Sequence, residues 1–413
     1  LLSPYRALDL TNERGLLCGQ VLGDLGADVI AVEPPGGSSA RRLGPFYRNE
    51  PHPDRSLYWW AYSRNKRSVT LDYAKPAGRE LLLRLVAGAD FLIESERPGA
   101  MAALGLGYDE LAAVNPKLIH VSITPFGSDG PKAGYADSDI VVWASGGPLI
   151  MTGDDDRPPV RVSVPQAYLH AAADGAVAAL IALNERARSG LGQHIDISAQ
   201  QSVTMATFAT ALYAAAGQGE SGRYSGGVKY GPLVMRWVYP ARDGYVAISF
   251  HFGSSMGHMT RRLMEYIYAQ GECDEATRNK DWVAYGDLLA TGKETIEEFN
   301  RVQDVVADFT RKHTKAELLA AALEHSLLVA PIATIDEVVD SEQLGARDYW
   351  RAVEHPEIEA TFAYPGPFAR FSETPIAYRR RPPLVGEHNR ELYVDELGLS
   401  EQQLAGLQAE RVV

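Results

Sequence analysis

Cysteine is nearly absent. Only Cys18 and Cys273 occur in 413 residues, far apart and without metal-ligand spacing, which excludes a disulfide-stapled fold and leaves no metal site to expect. Both thiols read as packing residues of a cytoplasmic protein. Positive charge is also in deficit: 40 Lys and Arg against 53 Asp and Glu leave a net charge of −13, which repels phosphate backbones and argues against nucleic-acid binding. No apolar run reaches the ~18 residues of a membrane span, and LLSPYRALDL lacks the charged start and apolar core of a signal peptide. No membrane partner is expected.

What is present is the composition of a globular protein, 46% hydrophobic and 23% charged, with 38 Gly and 24 Pro scattered along the chain as turn punctuation. The length exceeds one ordinary core and predicts two or more domains. The opening alternates strand and helix: YRALDL, LLCGQVLGDLGA, DVIAVEPP, SVTLDY, PAGRELLLRLVAGA, DFLIES, GYDELAAVNP and KLIHVSITPFG. Such alternation implies a mostly parallel α/β sheet with ligand groups on loops after the strand ends. VPQAYLHAAADGAVAALIALNERARSG reads as one long Ala-rich helix, with Pro165 near its first turn and Gly190 past its end.

The Gly-rich stretch 221–232 is the clearest linker candidate. Beyond it, WVYPARDGYVAISF has antiparallel alternation and RVQDVVADFTRKH and TKAELLAAALEHS are amphipathic. The expected organisation is residues 1–224 as the first part of a large α/β domain, 225–330 as a small α+β domain, and 331–413 as a turn-and-strand segment returning to the large one.

The blocks CGQVLGDLGADVIAVEPPGG (18–37), NKRSVTLD (65–72), RPG followed by LGLGYDEL (97–111), LIHVSITPFGSDGP (118–131), GLGQHIDIS (190–198), DGYVAIS (243–249) and RRRPPLVGEHN near the end run in one order along nearly the whole chain. In this order they resemble the family III CoA-transferases, the group of formyl-CoA transferase, carnitine CoA-transferase and α-methylacyl-CoA racemase. The resemblance implies a Rossmann-like large domain with an inserted smaller α+β domain, and two chains interlocked as a dimer. It also implies CoA and acyl-CoA as substrates, with no tightly bound cofactor.

In that family the long helix opens roughly V-P-x-A-D-L, and the Asp attacks an acyl-CoA thioester, forming a mixed anhydride and then an aspartyl thioester. The matching residue here is Tyr168. A phenol with an ordinary pKa of ~10 is a poor substitute at neutral pH, so Tyr168 is expected to fill the pocket mouth, or pack there, with its hydroxyl solvated. Asp174 lies ~600° round and ~9 Å along the helix from it, and His170 ~200° round, so neither takes its place. Asp137 and Asp139 are alternative nucleophiles in a segment that adjoins the active site in relatives; helix N-capping is their structural alternative. Racemase relatives carry G-H-D where this chain has Asp137-Ser138-Asp139, which disfavours racemisation.

CoA carries phosphates and calls for cations. Arg41 and Arg42 follow EPPGG, and Arg64, Lys66 and Arg67 precede the SVTLD strand, both near family CoA contacts; Arg97 lies in the RPG block. Solvated surface charge is the alternative for each cluster. Other positions have drifted: E-N-F-R-P-G is Glu94-Ser95-Glu96-Arg97-Pro98-Gly99, the A-G-P of the first loop is Arg14-Gly15-Leu16, and the Arg before L-G-L-G-Y is Ala103. HFGSSMGH, 251–258, occupies the region of the family's Gly-rich lid.

The reading is a non-catalytic subunit of a CoA-transferase acting on an acyl-CoA and a carboxylic acid, an aromatic dicarboxylate by analogy, interlocked with an Asp-bearing homologue. The alternatives are a homodimer with a non-standard nucleophile and a CoA-binding regulatory protein.

Overall fold

The computed structural model describes residues 1–217 and 222–413. The chain forms two compact units. The first comprises Leu1–Pro148, Val162–Thr207 and Gln343–Val413, and the second Leu149–Arg161 and Phe208–Glu342.

The first unit is built on six parallel strands, β1 (Arg6–Leu10), β2 (Asp28–Glu33), β3 (Lys66–Thr70), β4 (Phe91–Glu94), β5 (Ile119–Thr124) and β6 (Gln193–Ser198). Its helices are α1 (Leu16–Asp24), α2 (Leu57–Tyr62), α3 (Pro76–Ala87), α4 (Ala100–Ala103), α5 (Tyr108–Val114), α6 (Asp139–Ser145), α7 (Ala167–Ser189) and α8 (Ala199–Thr204). The sheet order is β3-β2-β1-β4-β5-β6, the doubly wound arrangement. Register places Leu8 between Ile30 and Leu92. Alternation then sends Ala7, Val29, Phe91, Ile119 and Val121 to a core shared with α1 and α7. The opposite face, with Leu8, Ile30 and Leu92, packs on α3, α5 and helical turns at 391–396 and 401–409.

Helix α7 is 23 residues long with a mean hydropathy of 1.3. By length and composition alone it could cross a membrane, although Asp174 keeps its apolar run below the ~18 residues of the sequence expectation. Its buried stripe of Ala171, Ala172, Gly175, Ala176, Ala179 and Ala182 joins the sheet core, as expected of a central helix in an α/β layer. It starts at Ala167, so Pro165 lies outside it, and it ends where Gly190 takes φ 77°.

The second unit pairs antiparallel strands Val238–Ala241, Gly244–Ile248 and Val329–Pro331, covered by helices including Ile296–Arg311 and Lys315–His325. The supposed linker is structured there. Ser221 lies outside the described residues, but Gly227–Tyr230 and Leu233–Arg236 form a hairpin, with Gly231 at φ 57° in its turn. Residues 253–258 open a helix, Gly253–Ala269. The C-terminal segment holds one hairpin, Arg351–His355 with Ala360–Tyr364, and then ends in helix rather than strand.

Candidate functional site at the carboxyl edge of the sheet

In the order 3-2-1-4-5-6 the chain reverses its winding between β1 and β4. The loops leaving these strands diverge, opening a crevice where doubly wound folds hold ligands. Asn12, after β1, and Ser95, after β4, tie the two loops: the Asn12 amide donates to Ser95 Oγ at 3.1 Å and the hydroxyl donates to Asn12 Oδ1 at 3.1 Å. The same Oδ1 accepts from the Arg14 amide at 3.1 Å, turning that loop and aiming its guanidinium.

Arg14 meets Asp137 with two prongs, Nε to Oδ2 at 2.9 Å and Nη2 to Oδ1 at 3.1 Å. Tyr168, near the start of α7, donates its hydroxyl to the same Oδ2, and the Arg14 guanidinium lies 5.6 Å from its ring centroid. The phenol is buried, not solvated as the sequence suggested. Asp137 is 15% exposed and Arg14 25%. Burial pushes Asp137 up, but hydrogen bonds from Arg14 and Tyr168 and the charges of Arg14 and Arg97 outweigh it, so its carboxyl stays below the usual range. Burial and the hydrogen bond to Asp137 raise the Tyr168 phenol well above its ordinary value. The result is a closed network of an ionised acid, a permanent cation and a neutral phenol.

Asp139 is elsewhere employed. Its Oδ1 accepts from the Gln166 and Ala167 amides, both at 2.8 Å, capping α7 across space rather than its own helix α6. His170 packs beside Trp143, and Asp174 is half-buried further along α7.

The basic clusters divide sharply. Arg41 is fully buried, paired with both Glu33 oxygens at 2.6 and 2.8 Å, with Asp54 at 2.9 Å, and set 3.8 Å from the Trp59 ring. Arg64 is bound to Asp24 at 2.7 Å, Lys66 to Asp9 at 2.8 Å, and Arg67 to Asp28, Glu391 and Glu396. These four cations are neither solvated nor free; they tie strands, loops and helical turns together inside the unit. The Asp9–Lys66 pair requires Gly19, because a Cβ there would stand 2.1 Å from Asp9 Oδ2. Arg42 and Arg97 remain exposed.

Arg42 borders a cleft of about 390 Å³ at the ends of β1, β2 and β3, lined also by Asn12, Ser39, Asp72, Tyr73 and Glu96. Glu96 accepts the Tyr73 hydroxyl at 2.9 Å. In sequence Arg14 stands only as a drifted position; its charge beside a Gly, four residues after Leu10 ends β1, was the only signal available.

These features define a doubly wound α/β protein with a closed polar network on the loops at its topological switch. The chain belongs to CoA-transferase family III, whose model matches residues 2–389. It is 34% identical to the succinyl-CoA:(R)-benzylsuccinate CoA-transferase subunit BbsE of Thauera aromatica, over 95% of this chain and 93% of the relative. It is 33% identical to succinyl-CoA–D-citramalate CoA-transferase of Chloroflexus aurantiacus, over 97% and 94%, and 31% identical to the succinyl-CoA–L-malate CoA-transferase beta subunit of the same organism, over 96% and 94%. A solved CAIB/BAIF family protein from Brucella suis superposes with a TM-score of 0.78 at 28% identity, covering 95% of this chain and 98% of that one. A CoA-transferase role follows, with CoA entering as a thioester substrate and passing to a carboxylic acid.

Proposed function

We propose that this chain is the non-catalytic subunit of a heteromeric CoA-transferase, interlocked with a homologue that supplies the nucleophilic aspartate. The observation that carries the reading is the closed Arg14–Asp137–Tyr168 network. By resemblance Tyr168 stands where relatives place the attacking carboxylate. A nucleophile needs a lone pair free to reach the thioester carbon, and its reactivity falls with its basicity. Tyr168 stays protonated, and Asp137 is held by three donors with its basicity depressed. Three residues that differ from the family pattern, or lie in a segment that does, thus contact one another, which fits a rebuilt site better than random decay.

The names of two relatives contain the word subunit, which favours an assembly of unlike chains. Val177 and Ile181, 57% and 66% exposed on the outer face of α7, support a second chain covering that helix. Succinyl-CoA as donor and an aromatic dicarboxylate as acceptor are proposed from the benzylsuccinate relative. Arg42 and Arg97 are proposed to meet CoA phosphates; Arg41, Arg64, Lys66 and Arg67 support that role only from within the fold. A cytoplasmic setting is proposed from the two unpaired thiols.

The test is CoA transfer by the chain purified alone and co-purified with an Asp-bearing homologue. Activity only in the mixed assembly is expected. Strong transfer by the chain alone would sink the reading in favour of the second one, a homodimer in which Asp137, standing at the Tyr168 hydroxyl, is a displaced nucleophile. In that case acyl-CoA leaves a hydroxylamine-sensitive adduct that Asp137→Asn abolishes.

A further inference from the structure

The amino-terminal edge of the same sheet, a strand length of ~17–20 Å from the crevice, carries a second cleft of about 390 Å³. Ser3, Asp28, Asn65, Arg67, Arg379 and Arg380 line it, with backbone at Gly26 and Ala27. The three guanidinium groups differ in what they are bound to. Arg67 is spent on Asp28, Glu391 and Glu396. Arg379 reaches the carbonyls of Gly26 at 3.1 Å, Gly23 at 2.7 Å and Ala27 at 3.2 Å, so it caps the end of α1 while its net charge meets no carboxylate. The Arg380 guanidinium meets His388 Nε2, at 3.4 Å, and no carboxylate among the described residues.

Their neighbour Arg381 shows that this is not a general shortage of acids. It is paired with Glu357 at 2.9 Å and Glu387 at 2.9 Å. The backbones of Arg379 and Arg380 are fixed as well, because both amides donate to Asn65 Oδ1, at 2.7 and 3.2 Å. Two adjacent cations are therefore held in place, exposed and without carboxylate partners among the described residues, at a concavity in a protein of net charge −13. Asp28 is the one carboxylate in the lining, and Arg67 occupies both its oxygens, at 3.0 and 2.6 Å.

We infer that this cleft is a binding site for a phosphate-bearing anion, with Arg379 and Arg380 as its receptors and the crevice uninvolved. Guanidinium forks match phosphate oxygens in geometry and charge, and the Arg379 and Arg380 N–H groups not directed at carbonyls or His388 are the donors. The site is independent of which chain performs CoA transfer.

Inorganic pyrophosphate is the probe. The full chain, in the assembly in which it purifies, is titrated by calorimetry at low salt, and hydrogen exchange locates the ligand. Protection of residues 23–28 and 377–381 is expected. Arg380→Ala, which removes no internal ion pair, should weaken the binding that protects 377–381 by about tenfold or more, while Arg188→Ala, at the exposed end of α7, leaves it unchanged. No binding at millimolar pyrophosphate overturns the inference. So does binding that Arg42→Ala removes and Arg380→Ala spares, or protection confined to 10–14, 71–74 and 96.

Discussion

Strands β2 and β4 both end in a glutamate at the carboxyl edge of one sheet, and the two side chains live under opposite rules. Glu33, 2% exposed, receives both prongs of Arg41, the Ser68 hydroxyl at 2.6 Å and the Ser38 amide at 2.8 Å. Glu94, 5% exposed, receives the Glu96 amide at 2.6 Å and the Ser122 hydroxyl, and faces His120, with Nε2 at 3.8 Å. Burial drives that imidazole down to about 3, so it is neutral and brings no countercharge. Burial accordingly lifts Glu94 to about 7. A buried carboxylate is tolerated as an anion where a cation comes with it, and otherwise becomes a proton holder.

The largest way to break the contrast is Arg41→Ala. It leaves Glu33 and part of Asp54 without their cation, and urea unfolding should show a loss of about 3–5 kcal/mol. A loss near zero would mean water solvates Glu33 in the variant and the pair is not structural.

Glu94→Gln works in the other direction. An acid whose folded pKa lies above its unfolded value of 4.5 binds more protons when folded, so its contribution falls as pH rises from 4.5 to about 7 and is constant beyond. The glutamine variant should therefore gain on the parent progressively over that window, reaching about 3 kcal/mol above pH 7. A difference between the two proteins that does not vary from pH 4.5 to 8 would refute the elevated pKa. His120, depressed in pKa, acts with opposite sign as pH falls below 6.5, which is why the difference between variant and parent is the quantity to follow.

The smallest stability effect belongs to the crevice. Asp137 is only partly buried, so Asp137→Asn should cost no more than about 1 kcal/mol. Its signature is spectroscopic: with the carboxylate gone, the Tyr168 phenol should ionise at lower pH than in the parent, read as phenolate absorbance against a Tyr168→Phe blank. An unmoved titration would show that burial alone holds the phenol neutral.

The alternation of strands and helices was legible because periodicity is local, and it located the first five strands of the parallel sheet to within a few residues. The hairpin at 227–236 was hidden by its glycines, which signal a turn and a linker alike. The terminal helix Glu401–Ala409 was missed because its apolar face is weak and Leu404 alone of its residues is buried. The basic residues misled for a different reason. Arg41, Arg64, Lys66 and Arg67 look like free cations in sequence, since their carboxylates at Glu33, Asp24, Asp9 and Asp28 lie 8 to 57 positions away.

By itself, then, the sequence determined the fold class and the family. Those depend on patterns and identities that survive being read one segment at a time. Only the tertiary structure decided which charges are spent and which remain available, because pairing depends on loops from different strands converging. Arg14, Asp137 and Tyr168 are separated by up to 154 positions and meet only where the end of β1 and the starts of α6 and α7 come together at one crevice. Charge in a folded protein is a property of the neighbourhood, and neighbourhood is what winding the sheet creates.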